Sequence, residues 1–76
     1  MKGARSELAL KLARVITRRR RALNLTQEQV ASFAELSVRH YQFIESGEAN
    51  PRFVSLIMLA GALEIRASKL LQDAGF

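Results

Sequence analysis

The residues best suited to selective chemistry lie in one run, Ser37-Val38-Arg39-His40-Tyr41-Gln42-Phe43-Ile44-Glu45. Read as a helix, it turns Tyr41 and Ile44 toward an interior, with His40 or Glu45 at the flank, and leaves Val38, Arg39, Gln42 and Phe43 outward. An outward arginine donates two parallel hydrogen bonds to guanine N7 and O6, worth roughly 1–3 kcal/mol of discrimination between bases. Gln42 has the donor and acceptor that read adenine or hold a phosphate, and Val38 offers a surface to a thymine methyl. His40 adds a base-edge or phosphate contact. Phe43 adds an apolar surface for a sugar, a thymine methyl or the neighbouring loop. The competing reading is an ordinary solvated helix face.

Such side chains are useful only on a rigid support, and the preceding residues supply one. Leu25-Thr26-Gln27-Glu28-Gln29-Val30-Ala31 begins a second helix, in which Thr26 and Gln29 match a capping box. Ser37 is placed as the N-cap of the run above and as a phosphate contact, and Gly47 supplies the left-handed residue that ends it. Two short helices joined by a tight turn, at about residues 26–45 of a basic chain, have the pattern of a helix-turn-helix that enters the DNA major groove. Gln27, in the first turn of the earlier helix, suits a phosphate oxygen, although capping chemistry alone also explains that turn. Asn50-Pro51-Arg52-Phe53 leads into another helix start, where Arg52 and the amides at Phe53 suit phosphate; a plain proline turn is the alternative.

The remaining pattern is all-α. Apolar spacing predicts a first helix over about 7–22 with Ser6 as N-cap, a fourth over about 53–63 and a fifth over about 67–73. The fourth is apolar nearly all round, so it is expected to be central or to sit between subunits. Arg18-Arg19-Arg20-Arg21 cannot form one basic face, because four consecutive helical residues point in four directions. Arg20 falls on the core stripe of Leu12 and Ile16, and an inward guanidinium needs a carboxylate; Glu45 is the natural partner. Arg18 is a further candidate for phosphate.

Seventy-six residues, 49% of them apolar, make one small domain, 1–76, with a packed core. Twelve basic against seven acidic residues give a net charge of +5, which favours an anionic partner without choosing it. No apolar run is long enough to span a bilayer, and the basic start Met1-Lys2-Gly3-Ala4-Arg5 lacks the apolar segment of a signal peptide. A cytoplasmic protein is expected. Zero cysteines and a single histidine leave neither a disulfide framework nor a metal cluster. No nucleophile–base set stands out, so neither an enzyme nor a cofactor is expected.

Leu25-Thr26-Gln27-Glu28-Gln29-Val30-Ala31, Ile44-Glu45-Ser46-Gly47, Pro51 and Leu59-Ala60-x-Ala62-Leu63 … Leu70-Leu71 together resemble the phage repressor and Cro-like (XRE) helix-turn-helix family over about residues 9–73. The resemblance implies a compact five-helix bundle of the lambda-repressor type, binding a two-fold symmetric double-stranded DNA operator as a homodimer. It places phosphate contact at Gln27, groove-facing residues at Val38, Arg39, His40, Gln42 and Phe43, and backbone approach at Arg52 and Phe53. It also sets an arginine–glutamate pair on Arg20 and Glu45. A small free-standing domain of this kind is most like the controller proteins of restriction–modification systems. Val38 stands where the family often has glutamine, Tyr41 where isoleucine or valine is common, and Glu35 and Glu64 where glycines are frequent. Gly61, inside the fourth helix, costs roughly 1 kcal/mol against alanine and permits close helix approach.

The alternative function is an antitoxin-type module that masks a protein partner and regulates its own operon. A membrane-binding basic helix accounts for Arg18–Arg21 but leaves the second and third helices without a purpose. The last two helices carry more apolar side chains than a small monomer buries, so a dimer through Ile65, Leu70 and Phe76 is expected. No small-molecule pocket is identifiable.

Overall fold

A computed structural model of the chain describes residues 6–76. The reading of the start as lacking a signal segment falls on residues 1–5, outside the described part. Five helices follow in order: α1 (Glu7–Ala22), α2 (Gln27–Phe33), α3 (Val38–Glu45), α4 (Phe53–Ala62) and α5 (Ala67–Asp73). Among the described residues there is no strand, and no helix is long and apolar enough to cross a membrane.

The first three helices begin where a hydroxyl can take an orphan amide. Ser6 accepts from the Ala9 amide at 3.2 Å, and Ser37 accepts from the His40 amide at 3.0 Å. At Thr26 the capping box is complete: the Gln29 amide donates to Thr26 Oγ1 at 3.0 Å, and the Thr26 amide donates to Gln29 Oε1 at 2.8 Å. Helices α4 and α5 start at Arg52 and Arg66, with no side-chain cap bond at either.

Every helix ends in the same paired closure, in which the two amides after the cap bond back to carbonyls in the last turn. For α2 the Glu35 amide donates to Ser32 O at 3.1 Å and the Leu36 amide to Ala31 O at 2.8 Å. For α4 the Glu64 amide donates to Gly61 O and the Ile65 amide to Ala60 O, at 3.1 and 3.0 Å. This closure needs a left-handed residue. Gly47 supplies it after α3 with φ +82°, but Asn24, Glu35 and Glu64 adopt φ of 57°, 58° and 56° after α1, α2 and α4. The two glutamates carry strain of about 1 kcal/mol each. Partly buried Leu25, Leu36 and Ile65, the residues that follow, drop onto the core and hold these turns shut. Gly47 is doubly constrained, because a Cβ there would stand 2.6 Å from Leu10 Cδ2.

The core is built from Ile16, Val30, Tyr41, Ile44, Leu59, Leu63 and Leu70, all fully enclosed. Helix α3 packs on α1 and α2, whereas α4 packs on α2 and α5, and α5 also returns to α1. Leu70 was expected at a subunit interface. It is instead entirely buried by its own chain and has no surface to offer a partner. Ile65 is half-buried against the core, and only Phe76 of that trio is exposed. The other large apolar side chains left in water are Leu8 on α1, Phe33 on α2, Phe43 on α3, and Phe53, Val54 and Ile57 on α4.

Candidate nucleic-acid interface

One carboxylate organises the polar side of the molecule. Arg20, at the end of the buried stripe of α1, donates Nε to Glu45 Oε2 at 2.7 Å and Nη2 to Glu45 Oε1 at 3.0 Å. Its third branch, Nη1, donates to Leu25 O at 2.9 Å, tying the α1–α2 turn into the same group. Gln27 Nε2 donates to Glu45 Oε1 at 2.8 Å, and the Tyr41 hydroxyl donates to Oε2. The pair is nearly enclosed, with side-chain exposures of 12% for Arg20 and 8% for Glu45. Burial alone pushes the Glu45 carboxyl up, but the hydrogen bonds from Arg20, Tyr41 and Gln27 outweigh it and hold the group below its ordinary range. The hydrogen bond to Glu45 holds the Arg20 guanidinium charged more firmly still. Burial, then the hydrogen bond to Glu45, raises the Tyr41 hydroxyl well above its usual value, so it remains a donor.

This cluster reaches the surface through Gln27. Gln42 Nε2 donates to Gln27 Oε1 at 3.1 Å, so the two amides form a relay from the enclosed carboxylate to the outer side of α3. Each amide nitrogen retains an N–H free to bond outward. Beside them, the Arg39 guanidinium lies 5.2 Å from the centroid of the Phe43 ring, one turn along the helix. Arg39, His40, Gln42 and Phe43 are exposed. Val38 is half-buried and packs against the core, so it is less outward than its spacing implied. The Ser37 hydroxyl takes the His40 amide and keeps its own O–H to donate.

The arginine run divides by direction. Arg20 turns inward, while Arg19 crosses to the other half of the molecule, donating Nε to Leu63 O at 2.8 Å and Nη2 to Glu64 O at 3.0 Å. It thereby caps the C-terminal end of α4. Arg18 and Arg21 remain exposed and, with Arg14, line an open cleft between α1 and the end of α3. Arg14 was not singled out in the sequence, although its spacing to Arg18 and Arg21 at i, i+4 and i+7 was readable. Exposed Arg52 and Phe53 stand at the start of α4, whose first amides have no side-chain acceptor. No group of histidine, cysteine, aspartate or glutamate able to hold a metal occurs among the described residues.

A short α2, a tight turn and an α3 with its polar side in water define a helix-turn-helix DNA-binding domain. The chain belongs to the XRE-type helix-turn-helix family: the helix-turn-helix family profile matches residues 16–70. It is 36% identical over 61 residues to the cryptic phage CTXphi transcriptional repressor RstR of Vibrio cholerae, covering 80% of this chain and 54% of RstR. The chain thus spans about half the length of that relative. Among solved structures it resembles the restriction-modification controller protein C.AhdI from Aeromonas hydrophila, with 29% identity and a TM-score of 0.79, covering 82% of this chain and 94% of that one. It is similarly close to the wild-type controller protein C.Esp1396I, with 26% identity, a TM-score of 0.83, and 91% and 88% of the two chains covered.

Proposed function

We propose that this chain is a transcriptional regulator that binds a two-fold symmetric double-stranded DNA operator as a homodimer, with α3 in the major groove. The observation that carries the reading is the outer side of α3, where Arg39 lies stacked on Phe43 beside an amide relay anchored on Glu45. Arg39 reads guanine; Val38, His40, Gln42 and Phe43 meet the neighbouring base edges. Gln27, Ser37 and Arg18 hold one phosphate ridge, and Arg52 with the amide of Phe53 holds the other. These residues set register and orientation, while α3 supplies sequence preference. The net charge of +5 supports the long-range attraction such binding needs.

In a homodimer, two copies of α3 lie about 34 Å apart, so half-sites are centred about one helical turn apart. The likeness to RstR and to C.AhdI supports a small phage-type repressor or a restriction–modification controller, acting on the nucleoid of a bacterial cytoplasm. Selection of bound duplexes from a random pool tests the whole reading. It is expected to return an inverted repeat with that spacing and an affinity that falls with salt at a slope near −0.9 per phosphate held. A pool that stays random after selection would refute it.

A further inference from the structure

We infer that the open cleft between α1 and the end of α3 holds the DNA backbone beyond the base pairs that α3 reads, through Arg14, Arg18 and Arg21. The inference rests on the DNA reading above and extends it from Arg18 to two further arginines and to a stretch of backbone outside the recognised bases. The cleft is about 470 Å³, with the three arginines and Thr17 on its α1 side and Glu45 and Ser46 on the other.

Among the described residues, none of these three guanidiniums has a hydrogen bond or an ion pair, and all three are exposed. Arg19 and Arg20, in the same run, are both engaged: one on the Leu63 and Glu64 carbonyls, the other on Glu45. Spacing of i, i+4 and i+7 puts the unengaged three along one side of α1, where like charges one turn apart weaken a helix. Attraction to the helix dipole accounts for Arg21 in the last turn but not for Arg14, two turns earlier. An anion laid along the stripe removes the repulsion. Glu45 is the one acidic residue at the cleft, and its charge is already met by Arg20.

Position, span and shape select a DNA strand as the occupant. Glu45 also accepts from Gln27 Nε2, so the cleft opens beside the start of α2, where the phosphate ridge assigned to Gln27 passes. At about 1.5 Å per residue the stripe covers about 10 Å of helix, against about 3.4 Å of axial rise per phosphate on one strand. It therefore serves successive phosphates, not one ion. A small organic anion is ordinarily buried over roughly 70–90% of its surface, whereas these arginines stand in water along an open rim. Guanidiniums bind phosphate oxygens whatever the base, so the stripe adds affinity and register without sequence preference.

Titration of wild type, Arg14→Gln/Arg21→Gln and a charge control, Arg66→Gln/Lys69→Gln, tests this on three duplexes. These are a selected operator cut to the base pairs it requires, the same operator with longer flanks, and random duplex. All four positions are exposed, the control pair lies at α5, and circular dichroism checks that each variant retains its helices. On the flanked operator and on random duplex, Arg14→Gln/Arg21→Gln is expected to bind about tenfold or more weakly than wild type near 0.1 M salt. Its salt slope should be shallower by about 1.8 per bound protomer. Base preference and affinity for the cut operator should stay close to wild type. A folded Arg14→Gln/Arg21→Gln variant with wild-type affinity and slope on the flanked operator overturns the inference. An equal loss in the charge control, which assigns the effect to net charge, overturns it too. So does an equal loss on the cut operator, which places the contacts inside the recognised bases. Millimolar, saturable binding of inorganic phosphate that the variant loses, with duplex binding unchanged, would put a free anion in the cleft and overturn it as well. Should wild type select no sequence while the variant still loses slope on random duplex, the backbone contact stands and the operator reading falls.

Discussion

The two halves of this chain are held together by different means. In α1, α2 and α3 each helix start has a hydroxyl cap, and a single enclosed carboxylate ties all three helices through Arg20, Gln27 and Tyr41. In α4 and α5 neither start has a side-chain cap, and cohesion comes from Leu59, Leu63 and Leu70 packing against the rest. The first half is stiffened by directional bonds, which hold a constellation of side chains in one geometry. The second half relies on apolar burial, which is non-directional and tolerates a change of neighbour.

The largest effect is expected at the carboxylate. Glu45→Ala leaves Arg20, Tyr41 and Gln27 without their acceptor, and should cost about 3–5 kcal/mol of unfolding free energy in urea titration. Glu45 also sets an acid limb. Its folded pKa is depressed, so its contribution is present above the ordinary carboxylate value of about 4.3 and is lost as pH falls through the lower folded value. Glu45→Gln should flatten that limb. A variant as acid-sensitive as wild type would show that the carboxylate is not the group responsible.

Next in size is Arg39→Ala, which should weaken a selected operator by roughly 1–3 kcal/mol, or about 5- to 150-fold, with little change on random duplex. Phe43→Leu, which removes the ring beneath Arg39 but keeps an apolar side chain toward the base edge, should cost about 0.5–1 kcal/mol in the same titration. Equal losses on cognate and random DNA would instead place Arg39 on the phosphates.

The capping contrast makes a smaller, two-sided prediction. Thr26→Ala should lower stability by about 1 kcal/mol, whereas Arg52→Ser, which supplies the cap α4 lacks, should raise it by about 0.5–1 kcal/mol in thermal unfolding. The same Arg52→Ser should weaken all duplexes alike. Smallest of all, Glu64→Gly relieves a left-handed glutamate after α4 and should raise stability by at most about 1 kcal/mol.

The first half was more legible in the sequence than the second, for a physical reason. Caps and closures are local: Ser6, Thr26 and Ser37 mark helix starts within a few residues of the amides they bond. Arg20 was readable because it sits on the same helical stripe as Leu12 and Ile16, and an inward cation must find a carboxylate. Arg19 was not, since neighbouring arginines look alike in sequence and its acceptors lie 44 and 45 residues away. The Gln42–Gln27 bond depends on the angle between two helices, which residue spacing does not specify. Leu70 was misplaced because an apolar count states how much surface needs cover, not which side chains the chain itself covers. The surplus is real, but it is carried mainly by Phe33, Phe53, Val54 and Ile57, with Leu8, Phe43 and Phe76 also in water.

The most direct measurement replaces guanine by 7-deazaguanine, one position at a time, in a selected duplex, and titrates each with wild type and with Arg39→Ala. Loss of affinity at one guanine per half-site for wild type, absent in Arg39→Ala, is the predicted result. Indifference of the wild-type protein to every replacement, with affinity and salt slope intact, would contradict the placing of α3 in the major groove.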